Sequence, residues 1–296
     1  MKAIHDFFRL IRPANIITSI ADVLAGISIA GYLQTAAVQQ MRCLPVLLLS
    51  ASSACLYAGG IIFNDFFDYK TDQVERPERV LPKGDLSIYF AIWAGIFFLG
   101  TGILFAFLYS NLSGFIAFLI AIAALVYDRY GKHQKITGPL NMGICRGLNL
   151  LLGLSIISSA LQYWALLGLV PVCYIYAITM ISRGEVSGSN RSTLYIALSL
   201  YFVVISSMLY VLSTKGWPPL ALVFILSFAY MVSRPVFKAI FKPIGKNIGL
   251  AVKAGILGLI IMDAAWAATF GQLILAGIIV CLLPISISLA KYFAVT

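Results

Sequence analysis

The chain has 296 residues, of which 61% are hydrophobic and only 11% are charged. This composition excludes an ordinary soluble protein, and no stretch is long and polar enough for a separate soluble domain, so we expect one helical membrane domain over residues 1–296. The five cysteines form no C-x-x-C pair, which argues against a zinc or disulfide framework.

The chain begins with an amphipathic segment in which Lys2, Arg9 and Arg12 alternate with apolar residues. We interpret it as an interfacial helix. A signal peptide is the competing interpretation, and we disfavour it because the next run is long enough to span a membrane and many more follow. Ten apolar runs are candidate spans, at about 14–33, 43–63, 88–109, 112–127, 138–159, 163–182, 192–213, 217–234, 248–269 and 272–290.

The basic residues predict an orientation, because Lys and Arg near span ends collect on the cytoplasmic side. With the N-terminus inside, eighteen of the 21 basic residues lie in inside segments, Arg42 and Lys215 lie outside, and Arg146 lies within a span. The net charge of +10 is therefore explained by topology, and no nucleic-acid partner is expected. We predict a multi-pass protein of a bacterial inner membrane, with its N-terminus and acidic loops in the cytoplasm.

Several polar residues fall within the predicted spans. Asp22 and Asp263 each need a partner or water there. Two explanations for Asp22 stay open, namely an ion pair with Arg146 or a hydrogen bond that caps a neighbouring helix. Arg146 and Asn149 share one face of the fifth span with Gly153. A substrate contact and a structural interhelical hydrogen bond explain that face equally well.

The second span ends in a cluster of oxygen ligands. We expect its helix to continue past Phe63, so that Asn64, Asp68 and Asp72 recur every four residues on one face. Asp65 lies beside them. Such a cluster at a membrane surface requires a positive partner, and carboxylate and amide oxygens suit Mg²⁺. The sequence therefore predicts a magnesium site that can hold a phosphate.

The loop after this cluster is basic and broken by prolines. Its Arg76, Arg79 and Lys83 could contact diphosphate oxygens, and the planar guanidinium suits bidentate contacts. The whole pattern, Asn-Asp-x-x-Asp-x-x-x-Asp followed by Arg-Pro-x-Arg-x-x-Pro, resembles the first signature of the UbiA superfamily of intramembrane prenyltransferases. Every position of that signature is filled. A solvated charged loop between two spans is the alternative explanation.

A third polar stretch follows the fourth span. Similar prenyltransferases have a tyrosine and a lysine here at a spacing of four, whereas Tyr127 and Lys132 are five apart. The resemblance implies that Lys132, and with it Tyr127, contacts diphosphate, although the spacing departs from the family pattern. We interpret His133, in the same basic loop, as an exposed residue.

The second metal motif of the superfamily, Asp-x-x-x-Asp, is only partly present. Glu185 and Ser189 stand at its two positions, with Asn190 alongside. The resemblance implies that Glu185, helped by Asn190, holds a second metal ion or the acceptor, and that Arg183 binds diphosphate. A surface ion pair between Arg183 and Glu185 is the alternative. The whole pattern, including Arg12-Pro13-Ala14-Asn15, most resembles the UbiA-like branch called EboC.

The resemblance implies an all-α transmembrane bundle of nine to ten spans around a central cavity that cytoplasmic loops cover. A re-entrant piece in the last pair, 248–269 and 272–290, would reduce ten spans to nine. The implied activity is Mg²⁺-dependent transfer of a prenyl group from an isoprenoid diphosphate to an aromatic or lipid acceptor within the membrane. The implied residues are Asp65, Asp68, Asp72 and Glu185 for catalysis; Arg76, Arg79, Lys132, Arg146, Asn149 and Arg183 for substrate; and Asn64, Asp65, Asp68, Asp72, Glu185 and Asn190 for metal.

Two other functions fit the same residues. A transporter or flippase would use the cavity without bond-making, but transporters with midplane sites show broken helices and internal repeats, whereas here the polar residues gather at one membrane face. A family member that binds the diphosphate without transferring its prenyl group is the other alternative.

Overall fold

The computed structural model describes residues 2–34, 43–132, 134–185, 188 and 190–293. Its α-helices are α1 (Lys2–Ile11), α2 (Pro13–Ala30), α3 (Cys43–Glu75), α4 (Ile88–Tyr109), α5 (Asn111–Val126), α6 (Thr137–Leu154), α7 (Ser158–Trp164), α8 (Leu169–Ser182), α9 (Arg191–Thr214), α10 (Pro219–Phe241), α11 (Gly245–Thr269) and α12 (Leu273–Phe293). Short 3-10 turns cover Tyr32–Gln34 and Ala165–Gly168, and a π-helical turn covers Tyr127–Gly131. Within these ranges there is no strand, and the predicted all-α fold is confirmed.

Helix α2 lies at the centre of the bundle. It packs against α3, α6, α11 and α12, and it is buried almost continuously from Thr18 to Ile29. Several other helices pack mainly against their neighbours in the chain, as α3 does with α4 and α10 does with α11, whereas α8 packs mainly against α6. The polar residues of α2 and α6 that the sequence singled out therefore lie in the interior of the bundle.

Helices α2 and α6 approach backbone to backbone. A methyl group on Gly26 would lie 2.2 Å from the carbonyl oxygen of Leu150, and one on Gly153 would lie 2.1 Å from that of Val23. Small residues allow such close packing in membranes, where lipid removes the hydrophobic driving force between helices. This contact presses the polar face of α6 onto α2.

Nine helical segments of the described ranges are long and apolar enough to cross a membrane. They are α2, α3, α4, α5 with the π turn, α7 to α8, α9, α10, α11 and α12. The protein is therefore a multi-pass integral membrane protein. The alternative of a re-entrant piece in the last pair is not supported, because α11 and α12 are continuous helices of 25 and 21 residues.

Helix α6 corresponds to the remaining one of the ten spans predicted from the sequence, and it is more polar than the nine apolar segments. At its start, a methyl group on Gly138 would lie 2.6 Å from the Gly131 carbonyl oxygen, just after α5. Beyond its other end, the Ser155 and Ser113 hydroxyls lie 2.7 Å apart, at the beginning of α5. It therefore runs the length of α5. Its polar residues are tolerated because neighbouring helices cover them, which hydropathy alone does not register.

Helix α3 is longer than the membrane requires. Its 33 residues extend ~50 Å at 1.5 Å per residue, against about 30 Å for the hydrocarbon core. The turns from Asn64 to Glu75 thus extend past the core, and the predicted continuation beyond Phe63 is confirmed.

Helix α1 lies beside this projecting end. Phe7 stacks on Phe98 of α4, and the Lys2 ammonium lies 3.0 Å from Asp85. Arg12, which joins α1 to α2, has φ 48° in the left-handed region, an uncommon conformation for a residue with a side chain. The turn directs the Arg12 side chain to Asp65 on α3.

Candidate active site

Asp65 and Asp72 lie two turns apart on the projecting end of α3 and are 6% and 5% exposed. Arg12 donates a hydrogen bond to Asp65. Arg79 of the basic loop donates to Asp72 at 2.6 Å and lies 3.5 Å from Asp65. Two guanidinium groups therefore neutralise two carboxylates in a site largely removed from water, where opposite charges interact strongly.

Asp68 is paired with Lys132, whose ammonium lies 2.5 Å from its Oδ1. The Lys132 backbone N–H donates to the Tyr127 carbonyl oxygen at 3.0 Å, which closes the π turn. A π turn holds one residue more than an α turn. The five-residue spacing that departs from the family pattern is thus absorbed in one turn, and the lysine still reaches α3.

A fourth carboxylate, that of Asp128, lies near this group. Its Oδ1 accepts a hydrogen bond of 2.9 Å from the Asn64 amide, and the residue is 4% exposed. In the described part of the chain no cation lies within ion-pair distance of Asp128, unlike the aspartates of the first motif. Asp128 is therefore a carboxylate of the site whose hydrogen-bond partner is the Asn64 amide and not a cation.

A cavity of about 280 Å³ lies between α2, α3, α5 and α6, below these residues. Arg12, Asn15, Asn64, Tyr127 and Asp128 line its mouth. Its middle is largely apolar, with Leu56, Gly60, Ile61, Ile120, Ala124 and Met142, and its floor is formed by Ser53, Tyr57, Cys145, Arg146 and Asn149. From mouth to floor it follows about three turns of α3, ~16 Å. The shape suits an apolar chain with a charged head group.

The floor is a closed polar network. Arg146 donates to Asp22 at 2.7 Å and to Thr18 at 2.7 Å. The Arg146 guanidinium also lies 5.0 Å from the centre of the Tyr57 ring. Of the two explanations for Asp22, the ion pair with Arg146 is therefore correct. Arg146 both lines the cavity and holds α6 to α2, so the two explanations for its own role are compatible.

Asn149 completes the floor. Its amide donates to Asp22 at 3.0 Å and to the Ser19 carbonyl oxygen at 2.8 Å, and it accepts from Ser53 at 2.7 Å. Its hydrogen-bonding capacity is used within the protein. The predicted contact of Arg146 and Asn149 with substrate stays a prediction.

Asp263 of α11 lies behind this floor, within hydrogen-bonding reach of Asp22, and both are 1% exposed. Of the two acids, Asp22 forms the ion pair with Arg146 in the described residues. Asp22 Oδ1 and Asp263 Oδ2 are buried without a hydrogen-bond donor. A buried oxygen without a donor is costly, so this part of the bundle needs a further hydrogen-bond donor.

The second motif lies across from the basic loop. Glu185 is partly exposed; burial raises its pKa, and the charge of Arg76 opposes that rise. The Asn190 side chain accepts a hydrogen bond from the Ser192 N–H at 3.1 Å and so caps α9. Ser189, like His133, lies outside the described residues. The metal roles of Glu185 and Asn190 stay predictions.

In the described residues, the Arg183 side chain contacts backbone carbonyl groups and no acidic side chain. It donates to the carbonyl oxygens of Gln134 and, at 3.4 Å, of Lys132. It therefore braces the segment between the π turn and α6. No ion pair between Arg183 and Glu185 occurs within the described ranges, and the predicted diphosphate contact of Arg183 stays a prediction.

The chemistry of the first motif fits Mg²⁺. Asn64, Asp65, Asp68 and Asp72 supply hard oxygen donors on adjoining turns, as that ion prefers. In the part of the chain that the structure describes, however, no three acidic, His or Cys side chains converge as a ligand set. The three aspartates are each turned to a basic side chain instead.

Two residues of this site were not among the sequence candidates, Arg12 and Asp128. The signal for Arg12 was its place in the Arg-Pro-Ala-Asn start, and the signal for Asp128 was its position next to Tyr127. Neither signal reveals a contact with α3, because the partners are 53 and 64 residues away in the chain.

Known proteins resemble the chain in sequence. Digeranylgeranylglyceryl phosphate synthase of Ignicoccus hospitalis is 28% identical over 190 residues, which cover 62% of this chain and 58% of that protein. The protein of the same name from Sulfurisphaera tokodaii is 28% identical over 181 residues, which cover 60% and 61%. The chain thus spans about 60% of the length of these relatives.

Solved structures share the fold. A UbiA homologue from Aeropyrum pernix superposes with a TM-score of 0.69 at 15% identity, over 84% of this chain and 96% of that one. A homologue from Archaeoglobus fulgidus, bound to DMAPP and Mg²⁺, gives 0.61 at 16%, over 86% and 99%. The model of the UbiA prenyltransferase family matches residues 23–242, and it does not distinguish the EboC branch, which stays a prediction. Because that match covers well over half of the sequence, the chain belongs to the UbiA prenyltransferase family.

Proposed function

We propose that this protein transfers a prenyl group from an isoprenoid diphosphate to an acceptor within the membrane, with Mg²⁺ as cofactor. The observation that carries the proposal is a cluster of acidic and basic side chains at the mouth of a largely apolar cavity. The acids fit a metal, the bases fit a diphosphate, and the cavity fits the apolar chain.

Each part of the site has a role in this reaction. Asn64, Asp65, Asp68 and Asp72 hold the metal, which supplies charge neutralisation for the departing diphosphate. Arg76, Arg79 and Lys132 bind diphosphate oxygens, with Arg183 supporting the Lys132 segment. The allylic C–O bond breaks with its electrons leaving on the diphosphate. The acceptor forms the new bond to that carbon and releases a proton.

The second motif completes the proposal. Glu185, with Asn190, holds a second metal ion or the acceptor. Relatives named digeranylgeranylglyceryl phosphate synthase, and homologues solved with DMAPP, GPP and Mg²⁺, support an isoprenoid diphosphate donor and a lipid-type acceptor. An aromatic acceptor is the competing class. Passage of a substrate through the bundle, as in a transporter, is disfavoured by the closed network at the cavity floor.

Binding and transfer are tested on the purified protein in detergent. We expect prenyl diphosphates to bind only with Mg²⁺, and Asp68→Asn to abolish that binding while the protein stays folded. Asp85→Asn is the matched control, because Asp85 pairs with Lys2 and Lys83 outside the cavity. Undiminished binding by Asp68→Asn would refute the first motif as the diphosphate site. Transfer is then assayed with lipid and aromatic acceptors by mass spectrometry.

A further inference from the structure

The aspartates of the first motif are matched by cations that are buried or partly buried. Arg12 binds Asp65, Arg79 binds Asp72 at 2.6 Å, and Lys132 lies 2.5 Å from Asp68. These cations come from three separate parts of the chain, before α2, after α3 and after α5. Three pairs of opposite charge at one helix end leave it electrically balanced, although carboxylates alone would repel one another there.

The same cations carry unused donors. Arg12 Nε and Arg79 Nε are buried without a hydrogen-bond acceptor, and the Lys132 ammonium has three N–H groups, more than its contact with Asp68 uses. Leaving a buried donor unsatisfied is costly, most of all on a charged group. Arg12 lines the mouth of the cavity, Arg79 lies 3.5 Å from the Asp65 that Arg12 binds, and Lys132 follows the Tyr127 and Asp128 of that mouth. An anion with several oxygens bound there would satisfy their donors.

We propose that Arg12, Arg79 and Lys132 are resting counter-ions that exchange partners, from the aspartates to a diphosphate, when metal and diphosphate bind together. This inference rests on the proposed function and adds Arg12 to its diphosphate ligands. In the resting state the cations take the place of the metal. In the loaded state the carboxylates turn to the metal, and the cations turn to the phosphate oxygens.

Charge balance makes the two ligands interdependent. Metal alone would add positive charge to a buried site where the carboxylates are already paired, and it would leave cations unpaired. Diphosphate alone would compete with the aspartates for the same cations. When both enter, every charge again has an opposite partner. Each ligand therefore raises the affinity for the other, by the same factor.

The test measures metal and anion binding separately. Mn²⁺ binding is followed by electron paramagnetic resonance, and inorganic diphosphate binding by calorimetry at saturating Mg²⁺. The variants are Lys132→Gln and Arg12→Gln, each of which removes a counter-ion and keeps a polar side chain. The matched control is Lys2→Gln, because Lys2 pairs with Asp85 at 3.0 Å outside the cavity. The Arg12 side chain is 25% exposed, so its variant tests the exchange even if the Lys132 variant does not fold.

The exchange predicts effects of opposite sign. Each variant should bind Mn²⁺ alone about fivefold more tightly or better, and inorganic diphosphate with Mg²⁺ at least about fivefold more weakly, in the range of ordinary coupling between ligands. A purely structural cation would not raise metal affinity when removed. Unchanged or weakened Mn²⁺ binding refutes the resting counter-ions, and unchanged diphosphate binding refutes the transfer to phosphate.

Failure of the proposed function gives a different pattern. If both affinities move as expected but no prenyl group is transferred to any acceptor, the exchange stands and only the transferase assignment is overturned. If the wild type binds no inorganic diphosphate at saturating Mg²⁺, both the exchange and the proposed diphosphate site are wrong.

Discussion

At the scale of single residues, the most demanding arrangement is the pair of acids behind the cavity floor. Asp22 and Asp263 are each 1% exposed, and within the described ranges Arg146 forms an ion pair with Asp22 only. Two ionised carboxylates beside one guanidinium would leave a net negative charge inside the bundle. The unsatisfied Asp22 Oδ1 therefore determines which substitutions Asp263 tolerates.

We predict that Asp263→Asn is tolerated and Asp263→Leu is not. The asparagine amide can donate to the unsatisfied Asp22 Oδ1, so the free energy of unfolding should change by less than ~1 kcal/mol. Leucine of similar size leaves Asp22 Oδ1 without a donor, at a cost of about 1–3 kcal/mol. Denaturant unfolding in detergent measures both variants. Equal losses for the two would show that the asparagine donates no hydrogen bond to Asp22.

At the scale of elements, the contact between α2 and α6 determines the geometry of the floor. Gly26 and Gly153 let the two backbones touch, and Arg146 and Asn149 then reach Asp22 from α6. A helix that stands even one methyl group further away would lengthen these hydrogen bonds.

We predict that Gly153→Ala destabilises the protein by about 1–3 kcal/mol or more, as expected when a methyl group is forced into a packed contact. Gly100→Ala on α4 is the matched control, because no atom lies within 4 Å of the added methyl group. The control should be neutral or stabilised by up to ~1 kcal/mol, the helix propensity difference. Unfolding midpoints in detergent compare the two. A similar shift in both would mean that α2 and α6 do not touch at Gly153.

Helix positions and the acidic end of α3 were predictable because apolar runs and the four-residue spacing of Asn64, Asp68 and Asp72 are local signals. Most side-chain contacts between helices were not predictable. Arg12 contacts Asp65 because its own backbone adopts the left-handed conformation. Arg146 contacts Asp22, which lies 124 residues away in the sequence. Sequence showed that Asp22 needs a partner, but only packing selects which one. The contact of Arg183 with two backbone carbonyl oxygens has no sequence signal at all.

At the scale of the whole molecule, the polar segments meet at one end of the bundle. Asp68 contacts Lys132, Gly138 contacts Gly131, and a methyl group on Gly188 would lie 2.8 Å from the Pro243 carbonyl oxygen. The loops that the charge distribution assigns to one membrane face are thus together in space. The charge count predicted this grouping without any knowledge of the contacts.

We predict that this end faces the cytoplasm. In a variant without native cysteines, single cysteines near Asp68, Gly131, Gly188 and Pro243 should react with a membrane-impermeant thiol reagent only from the cytoplasmic side, because the basic residues gather there. A cysteine at Lys215, near the opposite ends of the helices, should react only from outside. Labelling of any of the first four from outside would contradict the proposed orientation.

The π turn at the end of α5 also bears on how the chain diverged. One added codon in a regular α-helix rotates all that follows by about 100° and carries later side chains off their face. Here the wide turn confines the added residue, so that Lys132 keeps its place at Asp68 and Tyr127 keeps its place on the cavity wall. We therefore expect an alignment anchored on Tyr127 to put Lys132 one column out of register with the lysine of the family pattern. At this turn, structural superposition should therefore identify relatives of this protein better than sequence alignment does.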